Sequence, residues 1–135
     1  QVAVKEIEMR KTDVGYTSSP MKGFQYGDQA ELTFLASCSG NASVKIEVYH
    51  AGYLLEDATA VYEIGAQQTP YRYVFSNQLS MEDIEIRMTF SGGDLRQIKV
   101  ENLQCTSQVE SVAHKYFGDT TAAASKGGVS FDVVK

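Results

Sequence analysis

Residues that carry specialised chemistry are scarce in this chain. Of its 135 residues, two are cysteine and two are histidine. A closed zinc site needs four ligands at characteristic spacings, and Cys38, Cys105, His50 and His114 are too scattered to supply them. Neither histidine has a Ser, Cys or Asp beside it in a recognisable catalytic motif. Acids are plentiful, but nothing singles out two of them as the carboxylate pair of a glycoside hydrolase. Lys and Arg number 12 against 17 Asp and Glu, a net charge of −5. They are scattered, apart from the pair Arg10-Lys11. Phosphate neutralisation needs clustered cations, so a nucleic-acid partner is excluded. No apolar run approaches the length of about 20 residues that a membrane helix requires. No signal peptide is visible either. The chain opens on Gln1, and the expectation is that a leader, tag or upstream domain has been removed. Amphipathic helices are missing too: helix formers gather only from Tyr53 to Ala60, and Ala122 to Ala124 lie between glycines.

What is present is ordinary globular material with a period of two. Apolar residues make up 43% and charged residues 21%, near the averages for folded domains. The length fits one domain, 1–135, with a core that needs no staples. In QVAVKEIEMR, Val2 and Val4 share a face and then Ile7 and Met9 share one. The slip between them predicts a bulge or bend. VGYTSSPMKGFQYGD is rich in turn residues and reads as a long loop carrying Tyr16, Phe24 and Tyr26. AELTFLASC and ASVKIEVYH alternate cleanly and are joined by the tight turn SGN. AGYLLEDA reads as irregular, and AVYEI as a short strand. In TPYRYVFSNQ, Tyr71, Tyr73 and Phe75 fall on one side, and Arg72, Val74 and Ser76 on the other. MEDIEIRMTF sets Ile84, Ile86, Met88 and Phe90 against Glu85, Arg87 and Thr89. LRQIKVENLQC, VESVAHKYF and GVSFDVVK complete the series. Eight or nine short strands with Gly-rich turns predict an all-β antiparallel sandwich of two sheets, of jelly-roll type.

Several residue sets admit two readings. Cys38 and Cys105 each lie near a strand end. They allow one disulfide, or they are two small buried apolar side chains. The aromatic stripe of Tyr71, Tyr73 and Phe75 is either a sugar platform or core. Glu31, Thr33, Glu47, Tyr49, Arg72, Glu85 and Arg87 lie opposite the apolar rows. They form either a ligand surface or a solvated face laced with cross-strand charge pairs. Tyr49 beside Glu47, with Arg72 and Arg87 on neighbouring strands, is the candidate patch. Tyr16, Tyr26 and Tyr53 are loop tyrosines that either bind a ligand or cap the core rim. Asn41-Ala42-Ser43 is a glycosylation sequon, meaningful only in a host that glycosylates.

From Tyr26 to Cys105 the order of features resembles the jelly-roll carbohydrate-binding modules of families 4 and 9. The matching pieces are YGDQAELTFLAS, GNASVKIEVY, YRYVFS, IEIRMTFSGGD and IKVENLQ. Tyr73 and Phe75 match two aromatics that point into the core in that family, so the stripe is assigned mainly to packing, with Tyr71 near the rim. The family's Trp before the aromatic strand is absent, with Pro70 in that neighbourhood, and its Asp-Asn pair is here Glu101-Asn102. The segment 108–135 extends past the family's usual end. The resemblance implies non-catalytic binding of a carbohydrate or surface glycan by a secreted or cell-surface protein. It implies the polar face and rim as the site, with Tyr49, Glu47, Arg72, Arg87, Tyr53 and Tyr26 as candidates. A structural calcium is common in the similar modules, and Asp28, Glu101 and Asp132 are the oxygen donors to consider. No other cofactor is implied. The alternative is a structural subunit of an extracellular filament or virion surface. There the arm 1–11, which otherwise completes its own sheet, would add as a strand to the open edge of another copy.

Overall fold

The computed structural model describes residues 2–21, 24, 27–77, 83–110 and 129–133. Among the described residues, eleven strands run in chain order. They are β1 Val2–Ile7, β2 Met9–Lys11, β3 Gly15–Ser18, β4 Gln29–Cys38, β5 Ala42–His50 and β6 Tyr53–Leu54. β7 Ala60–Ile64, β8 Thr69–Ser76, β9 Ile84–Ser91, β10 Ile98–Glu110 and β11 Val129–Val133 follow. One sheet has the order β1-β10-β4-β8-β11. The other has the order β2-β3-β9-β5-β6, with β7 also on β5. Every pairing is antiparallel. The expected two-sheet sandwich is therefore present.

The alternation seen in the sequence places the core. β4 buries Ala30, Leu32, Phe34, Ala36 and Cys38. β5 buries Val44, Ile46 and Val48, and β9 buries Ile84, Ile86 and Met88. Two inward faces of this kind pack about 10 Å apart and exclude water between them. Tyr71, Tyr73 and Phe75 all point into this layer, so the aromatic stripe is core. Tyr71 does not reach the rim: it is only 4% exposed, and its ring stacks on Phe34 at 5.2 Å. A buried hydroxyl needs a partner, and each tyrosine finds a backbone carbonyl. Tyr73 donates to Ala58 O at 2.6 Å, Tyr71 to Glu63 O at 2.6 Å, and Tyr62 to Arg72 O at 3.0 Å. The Tyr62 and Tyr71 bonds cross from one sheet to the other between β7 and β8.

On four points the structure departs from the expectations or decides between two readings. First, the turn-rich segment after residue 13 contains a strand, β3, which pairs with β9 through Gly15↔Thr89, Tyr16↔Met88 and Thr17↔Arg87. Second, Val109 and Glu110, the first residues of the expected strand VESVAHKYF, belong to β10, which ends at Glu110; His114 and the rest of that segment lie outside the described residues. Third, the N-terminal segment completes its own sandwich. β1 pairs with β10 in one sheet and β2 with β3 in the other. The register of β1 is regular from Val2 to Ile7, so the expected bulge is not there: Val4 faces out, and the change of sheet comes between Ile7 and Met9. Ile7 and Met9 both pack on the core. Fourth, Cys38 and Cys105 are buried free thiols. Cys105 lies opposite Leu32, six residues along β4 from Cys38. At about 3.3 Å per residue that is about 20 Å, and a disulfide needs Cα atoms within about 7 Å. Alkylation followed by mass analysis is expected to give two adducts in denaturant without reductant, and none in the native protein at pH 8. A mass two hydrogens short that resists alkylation would contradict the thiol assignment.

Candidate functional site

The outer face of the second sheet gathers the polar residues of β5 and β9. Because Val44, Ile46 and Val48 point inward, Lys45, Glu47 and Tyr49 point out. Because Ile84, Ile86 and Met88 point inward, Glu85, Arg87 and Thr89 point out. The register sets Glu47 opposite Arg87 and Tyr49 opposite Glu85. Arg87 reaches past its direct partner. Its Nη2 donates to Glu85 Oε1 at 3.1 Å, and its guanidinium lies 3.9 Å from the centroid of the Tyr49 ring. The Tyr49 hydroxyl donates to Glu47 Oε1 at 3.4 Å, and Lys45 Nζ lies 3.8 Å from Glu47 Oε2. The result is one connected run: Lys45, Glu47, Tyr49, Arg87, Glu85. Exposed pairs of this kind stabilise by about 0–1 kcal/mol each, and an exposed cation–π contact by about 0.5–1 kcal/mol. Their main effect is to hold the Tyr49 ring and the Arg87 guanidinium in one orientation.

β3 and β2 extend this face. Thr17 lies opposite Arg87, and Arg10 lies opposite Thr17. Arg10, Thr17, Arg87 and Glu47 therefore form one row across four strands. A groove of about 460 Å³ follows the row, with Thr12, Tyr49 and Glu85 also in its walls. A second depression, about 240 Å³ and lined by Pro20, Gly52 and Asp83, shares Tyr49 and Glu85 with it.

The structure brings Glu47, Tyr49 and Arg87 together and separates Arg72 from them. Arg72 is on β8, in the other sheet, opposite Thr33. Its Nε pairs with Glu31 Oε2 at 2.5 Å, so the two predicted arginines belong to opposite faces of the sandwich. Tyr53 is 76% exposed on β6, opposite His50, and stands outside the groove wall. Tyr16 is on β3 and packs edge-on against Phe90 at 6.3 Å. Tyr26 lies outside the described residues. The three proposed calcium donors do not converge. Glu101 is on β10 opposite Leu35 and receives a hydrogen bond from Gln68 Nε2. Asp28 is buried at the far end of β4. Asp132 is on β11 opposite Arg72, with β4 and β8 between it and β10. Among the described residues, no three His, Cys, Asp or Glu side chains are grouped to hold a metal. No described helix is long and apolar enough to cross a membrane. Arg10 and Thr17 are site residues that sequence reasoning missed. The pair Arg10-Lys11 stood out as the only adjacent cations, but its sheet position was not visible.

No family profile and no curated protein matches the chain. Among solved structures it is similar to one described as "BiXyn10A CBM1 APO", with 8% identity and a TM-score of 0.39 over 77% of this chain and 69% of that one. It is also similar to one described as "CBM4 structure and function", with 7% identity and a TM-score of 0.43 over 98% and 71%.

Proposed function

We propose that the groove on the outer face of the second sheet binds an oligosaccharide without chemical conversion, in a protein that works outside the cell or at its surface. The observation that carries this reading is the Tyr49–Arg87 pair, fixed at the centre of a shallow polar groove. A sugar offers CH faces that pack on an aromatic ring and hydroxyls that pair with guanidinium and carboxylate groups. The groove presents both kinds of partner side by side. Across the strands that line the groove, from β2 to β5, there are three inter-strand steps of about 4.8 Å, or about 14 Å in all. That length suits a short chain of sugars rather than one. Hydrolysis is disfavoured by the surroundings of the two groove carboxylates. A glycosidase keeps one carboxyl in an apolar pocket as its acid. Glu47 and Glu85 instead sit beside cations at an open surface. The sequence resemblance to carbohydrate-binding modules leads to the same expectation.

A glycan array is the direct test, with hits titrated by calorimetry. Tyr49→Ala removes the ring and the rest for Arg87, and is expected to weaken binding tenfold or more, about 1.4 kcal/mol. Tyr49→Phe loses only the long bond to Glu47 and is expected to bind within about threefold of the wild type, a change of less than 1 kcal/mol. Equal affinity of wild type and Tyr49→Ala, or silence across the array, would count against the reading.

A further inference from the structure

The charges of the groove are not evenly distributed, and the unevenness bears on the ligand. Lys45, Arg87, Arg72 and Arg96 each lie within ion-pair distance of a carboxylate. Arg10 does not: among the described residues it has no ion pair and no side-chain hydrogen bond. It is exposed, it lines the groove, and it begins the row that runs through Thr17 and Arg87 to Glu47. The two groove carboxylates, Glu47 and Glu85, stand on β5 and β9. From Arg10 to Glu47 there are three inter-strand steps, about 14 Å. The Debye length at physiological salt is about 8 Å, so Glu47 barely offsets the charge of Arg10. The groove is therefore bipolar, with an open cation at one end and paired carboxylates with an aromatic ring at the other.

We infer that the groove selects an acidic glycan, whose anionic group meets the Arg10 guanidinium while its neutral sugars lie over Tyr49. This rests on the oligosaccharide reading above and adds to it the class of sugar and its direction in the groove. A planar guanidinium pairs with a carboxylate or a sulfate ester through two parallel hydrogen bonds, and the Thr17 hydroxyl is the next polar group along the row. The same charges limit how acidic the ligand is. The chain carries a net charge of −5, and Glu47 and Glu85 would face the second anion of a densely charged polymer. The fit is to a largely neutral backbone with isolated acidic substituents, not to a polyuronate.

The test uses wild type, Arg10→Gln and Tyr49→Ala on an array of neutral, uronate-bearing and sulfated oligosaccharides. It is followed by titration of a matched pair: the best acidic hit and its carboxyl-reduced or desulfated counterpart. Wild type is expected to prefer the acidic member about tenfold at low salt, and to lose most of that preference by 0.5 M NaCl. Arg10→Gln is expected to bind both members equally, at the wild-type affinity for the neutral one. A preference for the uronate or for the sulfate identifies the source of the anion. Neutral hits bound as well as acidic ones, with Arg10→Gln unchanged, would overturn this inference and leave oligosaccharide binding standing. No binding by wild type to any glycan would overturn both.

Discussion

Between pH 8 and pH 12, urea unfolding is expected to show stability that falls steadily from about pH 9 upward. The cause is a buried thiol joined by a buried phenol. Burial pushes the Cys105 thiol from its ordinary 9.0 up to about 12. Burial, and secondarily the neighbouring Tyr62, pushes the Tyr73 hydroxyl up as well. Below pH 9 the folded and unfolded chains both keep the thiol proton, so stability is fully present. Above pH 9 the unfolded chain releases a proton that the fold retains. The unfolded state then binds fewer protons, and stability declines with pH until the folded thiol itself ionises. For Cys105 the interval is 12 − 9 = 3 units, an order of magnitude of about 4 kcal/mol at about 1.4 kcal/mol per unit. Tyr73 adds to the slope from about pH 10, where an unfolded tyrosine ionises. A domain typically has about 5–15 kcal/mol in total, so the loss is large enough to bring unfolding within the range. Cys105→Ala is expected to delay the onset to about pH 10. A urea midpoint that stays constant from pH 8 to pH 11 would refute this account.

Gly15→Ala is expected to destabilise the protein by about 3 kcal/mol or more, a large effect for one methyl group. A Cβ built on Gly15 would stand 1.9 Å from the Met88 carbonyl oxygen and 2.8 Å from its carbon. Both are backbone atoms of β9, so no side chain can swing aside. β3 would have to move away from β9 and take its partner β2 with it. Here glycine serves close approach of two backbones, not a turn. The displaced strands carry Thr17 and Arg10, so binding in the groove should weaken along with stability. Gly40→Ala is the control, because its new Cβ would meet only Gln97 Oε1, at 3.9 Å. If the urea midpoints of both variants match that of the wild type, the backbones at Gly15 are not in such close approach.

Those two backbones also show where sequence reasoning stops. Strands β4, β5, β7, β8 and β9 were legible because one face of each is buried, and burial imposes a period of two. β3 was not, because Gly15, Ser18 and Pro20 read as loop chemistry, while the strand owes its place to the edge of β9. Period two also says whether a residue points in or out, but not from which sheet. Arg72 and Arg87 are both outward, and only strand order assigns β8 to one sheet and β9 to the other. Of the four residues of the candidate patch, three therefore come together and one does not. Glu47, Tyr49 and Arg87 share a face, Arg72 lies on the other, and Arg10 and Thr17 enter only through pairings between segments far apart in sequence.

β10 divides into two for a related reason. Ile98 and Val100 face inward opposite Cys38 and Ala36, whereas further on it is Cys105 and Ser107 that face inward, opposite Leu32 and Ala30. Between them two residues of β10, Asn102 and Leu103, stand opposite one of β4, Phe34, and Asn102 takes the left-handed conformation with φ 55°. That extra residue is a β-bulge. It acts as a parity switch in a strand whose two halves count in opposite frames. Deleting one residue from 101 to 103 would join the halves into one regular strand, with Ile98, Val100, Cys105 and Ser107 all still facing inward. Loss of one residue in this stretch is thus compatible with the fold, whereas loss of a second would turn Cys105 and Ser107 toward water.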